Sequence, residues 1–490
     1  MLLRRLTASA CAVAVVTGAG PVDRNQGPDF GIVPPRSGLT TAVFDPERFG
    51  SASPDKHFAR ALASGASVVR LSLYWPSVAP EEQMSSVFNP SDPGDAAYNW
   101  AAFDRQVRAA SARGLTPIAM VSGAPVWAQA GTDPSSPTGV KPKEYGRFAA
   151  AAAARYGGSF GDLPRIQIWQ AWNEPNITTF LRPQLVRGRP VAAHNYRALV
   201  NAFAASVKRI HEDNLVVAGG LAPFRDSTQD IVDQDEDWGP LSFMREVLCL
   251  SDRLRPKCAA RVRFDVWAMH PYTSGGPTHH AVLPNDVSLG DLPEVRATLR
   301  AAARAGHIIG ESPTRFWVTE FSWDSSPPDP NAVPVSLLNR WVAHALYTMW
   351  RNGVSLVTWF TLVDEDRQRS FFQSGLYFRR GLPKPVRQAF RFPVVALPRE
   401  NQIVVWGRTP RGAQRRVAIE HRIGRQWRTL VVVRSDRNGL FWRRITARPI
   451  GSVRAQIVET EERSLPFGVA PVPDRIFNPF GTTPPLEPRG

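Results

Sequence analysis

Eight short apolar runs, recurring at intervals of about fifty residues, constrain this chain more than any other feature. They begin near Thr41, Ser67, Leu115, Arg165, Asn214, Phe264, Arg315 and Val354, and five of the seven intervals fall between 48 and 51 residues. Helical patterns lie between them. Tyr196, Leu199, Val200, Phe203, Val207 and Ile210 follow the 3.6-residue period, as do Leu338, Trp341, Val342, Ala345 and Met349. Gly65, Gly114, Gly306 and Gly353 each end a helical stretch just before a strand, where a left-handed cap is wanted. Near-continuous apolar strands alternating with helices predict an α/β fold, a closed (β/α)8 TIM barrel over residues 38–398. The alternative, an open doubly wound sheet, lacks the glycine-rich phosphate loop that would follow its first strand.

After Pro398 the pattern changes. QIVVWGR, RVAIEHR, WRTLVVVRSD, LFWRRI and VRAQIVE alternate between apolar and polar, with turns at Pro410-Arg411-Gly412 and Asp436-Arg437-Asn438-Gly439. This predicts a small all-β, immunoglobulin-like sandwich over residues 399–468, followed by a Pro/Gly-rich tail over 469–490. The net charge of +16 is concentrated here: from Glu400 to Gly490 there are 16 Arg, no Lys and 8 acidic residues. These arginines are scattered along alternating strands without a nucleic-acid-binding motif, so a solvated basic face is expected and nucleic acid is not expected as a partner. A basic protein that binds a wall polymer through this domain is the alternative from a different functional class.

The start of the chain is short and basic (Met1–Arg5), then apolar (Leu6–Val16), then small (Thr17-Gly18-Ala19). That order predicts a secretory signal peptide over 1–19 and an N-terminal extension over 20–37, hence a secreted, extracellular protein. The apolar stretch is too short to span a bilayer, and no later run reaches about 18 residues, so no membrane span is expected. Cys11 leaves with the signal. Cys249 and Cys258 remain, either as a disulfide closing a small loop in an oxidising compartment or as two buried thiols. No Cys/His spacing suggests zinc, and neither a metal nor a cofactor is expected.

In a barrel of this kind the site forms where the strands end. Strand 2 carries Arg70. Strand 4 runs through IQIWQAWNEPN and delivers Asn173 and Glu174. Strand 6 ends with His270 and Tyr272, strand 7 with Glu320 and strand 8 with Trp359. A strand built for burial that ends on a carboxylate needs a use or a partner for it. Two carboxylates flanking one pocket are what glycosidic cleavage requires, one ionised to attack and one protonated to donate. Arg70 and Tyr272 are expected to hold Glu320 ionised, and Glu174 to keep the raised pKa of an acid. Trp359 is expected as the floor under a sugar, with Trp75, Trp127 and Trp323 on the loops after strands 2, 3 and 7 as further sugar platforms or as loop packing. The Asp364-Glu365-Asp366 run after strand 8 and the His279-His280 pair after strand 6 read as solvated. Asp226, Asp233, Asp235 and Asp237 read as an acidic loop after strand 5.

WNEP after strand 4 and TEF after strand 7 resemble glycoside hydrolase clan A, the retaining TIM-barrel glycosidases. WNEPN is most similar to family 39, with family 5 a near neighbour. The resemblance spans roughly Gly38 to Ala396. It implies Glu174 as acid/base, Glu320 as nucleophile and Asn173 as partner of the sugar 2-hydroxyl. Arg70 and Tyr272 match residues that support the nucleophile, and Trp359 matches the strand-8 tryptophan. The sequence departs from the family patterns at QIWQA and at Val121-Ser122-Gly123, where family 5 usually places a His. The implied partner is an oligo- or polysaccharide, and a carbohydrate-binding protein without catalysis is the alternative on the same fold. The sequence is silent on oligomeric state.

Overall fold

The computed structural model describes residues 38–80, 88–225, 238–367 and 372–477. The expected signal peptide and extension, the acidic loop from Asp226 to Asp237, and the last part of the expected tail lie outside them. Eight parallel strands close into a barrel: β1 (Thr40–Phe44), β2 (Val68–Tyr74), β3 (Thr116–Ser122), β4 (Ile168–Ala171), β5 (Leu215–Leu221), β6 (Val266–Met269), β7 (Arg315–Phe321) and β8 (Val354–Phe360). Strand β1 pairs with β8 from Thr40↔Leu356 to Phe44↔Phe360 and shuts the ring. Successive side chains alternate between the barrel interior and the helical layer. Ala42, Val68, Ile118, Ile168, Val217 and Leu356 meet inside as an apolar plug, joined by Trp317. Burying each large apolar side chain of this kind stabilises the fold by about 1.5–3 kcal/mol.

The helices bury the faces their periodicity requires. Tyr196, Leu199, Val200, Phe203 and Val207 are buried on the helix Val191–Ile210, and Leu338, Trp341, Val342, Ala345 and Met349 on the helix Val335–Arg351. Gly65, Gly114, Gly306 and Gly353 all have positive φ, between 65° and 87°. Among the described residues no helix is long and apolar enough to cross a membrane. Cys249 and Cys258 are bonded, with Cα atoms 5.5 Å apart, which is within the reach of a disulfide.

The chain then forms a small all-β domain, beginning at Val394, slightly upstream of the expected start. Its strands are β9 (Val394–Arg399), β10 (Gln402–Arg408), β11 (Arg416–Ile423), β12 (Gln426–Arg434), β13 (Leu440–Thr446), β14 (Ser452–Ile457) and β15 (Phe467–Gly468). They make two antiparallel sheets, ordered β9-β10-β13 and β12-β11-β14-β15. Trp406 on β10 packs against Tyr347 and Trp350, with ring centroids 5.4 and 5.6 Å away, and so joins this domain to the helix after β7. Most strand arginines are exposed. Arg408 is buried, and burial lowers its guanidinium to a pKa of about 10. It reaches Thr41 Oγ1 at 3.3 Å at the foot of β1.

The first residues of the expected tail lie against the barrel. Arg340 donates to the carbonyl of Ala470 at 2.5 Å, and Trp341 Nε1 to that of Pro473 at 3.0 Å. A proline-rich segment has few N–H groups to pair internally, which leaves its carbonyls to accept from side chains on the helix Val335–Arg351.

Candidate active site

Above the apolar plug the barrel interior turns polar, and Arg70 is the hub of the change. It is fully buried on β2. Its Nε donates to Gln170 Oε1 at 2.9 Å, its Nη1 to Glu320 Oε1 at 2.5 Å and its Nη2 to Asn173 Oδ1 at 2.8 Å. The guanidinium also lies over the Phe44 ring, 4.5 Å from its centroid. A buried charge without partners is very unfavourable, and here each nitrogen has its own acceptor.

The WNEPN segment departs from strand geometry to present its side chains. Trp172 has φ of 72° and Glu174 φ of 43°, left-handed values that cost a non-glycine residue about 1–3 kcal/mol each. Tertiary bonds hold them. Trp172 N donates to Val121 O at 2.9 Å and its indole Nε1 to Phe180 O at 3.0 Å. Glu174 N donates to Gly220 O at 2.9 Å, and Asn176 exchanges two side-chain bonds with the backbone of Ala222. On β5 the pairing with β6 steps from Gly219↔Ala268 to Leu221↔Met269, so one extra residue bulges out. Gly219 and Gly220 both have positive φ, and a Cβ on Gly220 would come within 2.7 Å of Gln170 Nε2. Tyr196 braces the outside: its phenol donates to Ala171 O at 3.0 Å and accepts from Gly219 N at 2.8 Å.

A second bulge presents the other carboxylate. Pairing between β8 and β7 steps from Val357↔Val318 to Trp359↔Phe321, so β7 carries one extra residue at Thr319-Glu320. Both side chains therefore enter the site. Tyr272 donates to Glu320 Oε2 at 3.2 Å. His270 stands between the acids, with Nδ1 2.8 Å from Glu174 Oε1 and Nε2 3.0 Å from Thr319 Oγ1. One carboxylate oxygen of Glu174, one of Glu320 and a ring nitrogen of His270 all lie within 4.8 Å of one another.

Burial dominates the electrostatics around Glu174, His270 and Tyr272. Burial pushes the Glu174 carboxyl up to about 7, against the opposing pull of the Arg70 charge. Burial also lowers His270 to about 4, so its imidazole is neutral at pH 7. A neutral ring has one N–H. When Glu174 is ionised, Nδ1–H donates to it and Thr319 O–H donates to Nε2. When Glu174 is protonated, the carboxyl O–H donates to Nδ1 and Nε2–H donates to Thr319 Oγ1. Burial, then the Glu320 charge, raise the Tyr272 phenol well above its usual range, so it remains a donor.

The tryptophans are arranged differently from the expectation. On β8, Leu356 lies in the plug and Phe360 joins Phe44, Met120 and Tyr272 at the mouth, so the residue between alternating positions faces out. Trp359 accordingly points to the helical layer, where its ring meets Phe390 at 5.8 Å and Nε1 donates to Ser374 O at 2.8 Å. Phe360 takes the place at the mouth, 5.7 Å from Phe44 and 4.9 Å from Phe372. Trp75 is fully buried and stacks on Phe148 at 5.2 Å. Trp323 is also buried, with Nε1 donating to Gly275 O. Both are loop packing, because their faces are covered by other rings. Trp127 is partly exposed, but its Nε1 is held by Pro80 O at 3.0 Å and its edge packs on Trp75. Asp364 is likewise no solvated acid. It is buried beside Lys384, which donates to it at 2.5 Å and to Ser325 Oγ at 2.8 Å.

Gln170, Thr319, Phe44 and Phe360 join the site without having been singled out by the sequence. For Gln170 the signal was an amide inside an apolar strand, which has to find partners when buried. For Phe360 it was alternation counted from Leu356.

No protein-family model and no curated protein matches the chain. Among the solved structures it resembles are glycoside hydrolases. The barrel fold is shared with a family 39 glycoside hydrolase. That enzyme, from the gut symbiont Bacteroides cellulosilyticus, is 15% identical over 84% of this chain and 81% of its own, with a TM-score of 0.50. A glucosidase from Croceicoccus marinus is 15% identical over 82% of this chain and 81% of its own, with a TM-score of 0.46. An exo-β-1,4-mannosidase from an Opitutaceae bacterium is 15% identical over 73% of this chain and 61% of its own, with a TM-score of 0.43. The likeness to family 39 expected from WNEPN holds at the level of the fold.

Chemically, the site pairs one carboxyl whose pKa burial raises to about 7 with a second beside a guanidinium and a phenol. Among the described residues, Glu174, His270 and Glu320 are also the group spaced to hold a metal ion. Their donor atoms are already engaged by Arg70, Tyr272, Thr319 and one another. If Arg70 is the hub, Arg70→Met should lower stability by about 3–5 kcal/mol, because Glu320 is left buried without its cation. Urea unfolding at pH 7 measures this, and a loss below about 1 kcal/mol would contradict the assignment.

Proposed function

We propose that the protein is a secreted retaining glycoside hydrolase that cleaves a β-linked glycoside by double displacement. The observation that carries the reading is the approach of carboxylate oxygens of Glu174 and Glu320 to within 4.8 Å at the polar end of the barrel. Retaining enzymes need carboxyl groups about 5–5.5 Å apart, whereas inverting enzymes leave about 6.5–9.5 Å for a water.

In the first step a Glu320 oxygen attacks the anomeric carbon, the glycosidic C–O bond breaks, and Glu174 gives its proton to the departing oxygen. In the second, Glu174 takes a proton from water, the water oxygen attacks the same carbon, and the ester to Glu320 breaks. Arg70 and Tyr272 hold the two Glu320 oxygens in place for the attack. Asn173 Oδ1 is committed to Arg70, so its Nδ2 is the end that can serve a sugar hydroxyl. Phe44 and Phe360 offer the apolar wall at the mouth that Trp359 does not.

Azide distinguishes the two roles. Glu320→Ala should lose at least about a thousandfold in kcat, and azide should rescue it as a glycosyl azide of inverted anomeric configuration. Glu174→Ala with an activated aryl glycoside should instead yield the azide of retained configuration. The same product from both variants would overturn the assignment.

The pH dependence follows from Glu174. Its acid form is needed, and its pKa is raised to about 7, so kcat/KM should fall as pH rises through about 7. An activity plateau that extends to pH 9 would exclude Glu174 as the proton donor.

Export through residues 1–19 belongs to the same reading, supported by the Cys249–Cys258 bond, since disulfides persist in oxidising compartments. Protein recovered from the culture medium should begin after Ala19 and take up two hydrogens on reduction. Intact-mass spectrometry checks both.

A further inference from the structure

Asp474 lies in a segment that reads as a tail, yet the loop after β6 engages both of its carboxylate oxygens. Gly276 N donates to Oδ1 at 2.7 Å, and His279 Nδ1 is 3.1 Å from Oδ2. The bond with His279 leads the causes that hold this carboxyl below its usual range. Close by, Phe477 N donates to Ser274 O at 2.7 Å. The approach is made for glycine: a Cβ on Gly275 would come within 2.7 Å of Asp474 Oδ1, and one on Gly276 within 3.3 Å.

This loop starts directly after Tyr272, whose phenol donates to Glu320 Oε2. At 3.2 Å that bond is longer than the roughly 2.5–2.7 Å usual for O–H···O⁻, so a small movement of the loop would break it. Two consecutive glycines give the loop little rigidity of its own. A second connection runs through rings. Phe477 meets Trp341 at 5.7 Å, Trp341 meets Trp323 at 5.2 Å, and Trp323 meets Phe321, the neighbour of Glu320, at 4.7 Å. Trp323 Nε1 in turn donates to Gly275 O at 3.1 Å.

We propose that Asp474 is a positioning residue for the Tyr272–Glu320 hydrogen bond, acting by fixing the backbone of residues 273–280. The proposal rests on the reading of Glu320 as nucleophile. A purely structural role fits less well. The Asp474 side chain is 43% exposed, and a pair that open to solvent contributes little to stability. A misplacement of about 1 Å at a reacting group, by contrast, can cost about a hundredfold in rate.

The test is a double-mutant cycle with activity and stability read together. Asp474→Ala should lower kcat about tenfold, with KM changed by less than about twofold and little loss of Tm. Asp474→Asn keeps an oxygen for Gly276 N and a polar group for His279 Nδ1, so it should restore most of kcat. Tyr272→Phe should lower kcat further, and adding Asp474→Ala to it should change nothing more. An unchanged kcat in Asp474→Ala, or losses that multiply in the double variant, would overturn the proposal. Should Asp474→Ala fail to fold, His279→Ala removes the Oδ2 contact alone and is read against the same pattern. If the wild-type protein cleaves no glycoside, it is the proposed function that falls. Amide exchange then decides the positioning role: faster exchange confined to residues 273–280 in Asp474→Ala supports it, and unchanged exchange refutes it.

Discussion

The site depends on one buried guanidinium. Arg70 connects β2 to the side chains of β4 and β7 and to Asn173, and a ring from β1 covers its face. Below it the barrel interior is apolar; above it stand the two carboxyls. A buried carboxylate is costly without a partner, and Arg70 supplies a fixed charge to Glu320, while burial raises the pKa of Glu174 beside it. Both acids are glutamates at the ends of parallel strands, and it is their neighbours that differ: Arg70 and Tyr272 for Glu320, His270 for Glu174.

Holding them requires irregular backbone. An ideal strand would send Glu320 outward, and an ideal turn after β4 would not use positive φ at Trp172 and Glu174. The barrel accommodates this with an extra residue in β7, another in β5, and two glycines where a neighbouring strand comes too close for a Cβ. Tyr196 and Asn176, neither of which enters the site, tie the distorted strand ends to the helix outside and to Ala222. Strain at the site is balanced by bonds placed one layer further out.

The architecture was legible because it is written in periods. Eight apolar runs, the 3.6-residue faces of Leu199–Val207 and Leu338–Met349, and the four capping glycines all depend on local rules that tertiary contacts left intact. The residues Arg70, Asn173, Glu174, His270, Tyr272 and Glu320 were legible because polar groups at the ends of buried strands have few other reasons to be there. The errors came where alternation is broken or was not followed. A bulge has no signature in the sequence, so Thr319 could not be seen to enter beside Glu320. The end of the strand-8 run and the resemblance both point to Trp359, whereas counting by twos from Leu356 leads to Phe360. Trp75 and Trp323 belong to aromatic clusters whose members lie far apart in the chain. Asp364 looked solvated because its partner, Lys384, comes from beyond the loop that follows β8.

The attachment of the small β domain bears on how this protein can be engineered. Trp406 sits on Tyr347 and Trp350, and Arg408 reaches the foot of β1. Cutting the chain at the sheet boundary would bare an aromatic surface on the helix that follows the strand carrying Glu320. A fragment limited to the barrel would therefore have to carry replacement polar residues at those two ring positions, and any chimera would have to import a matching indole along with its new sheets.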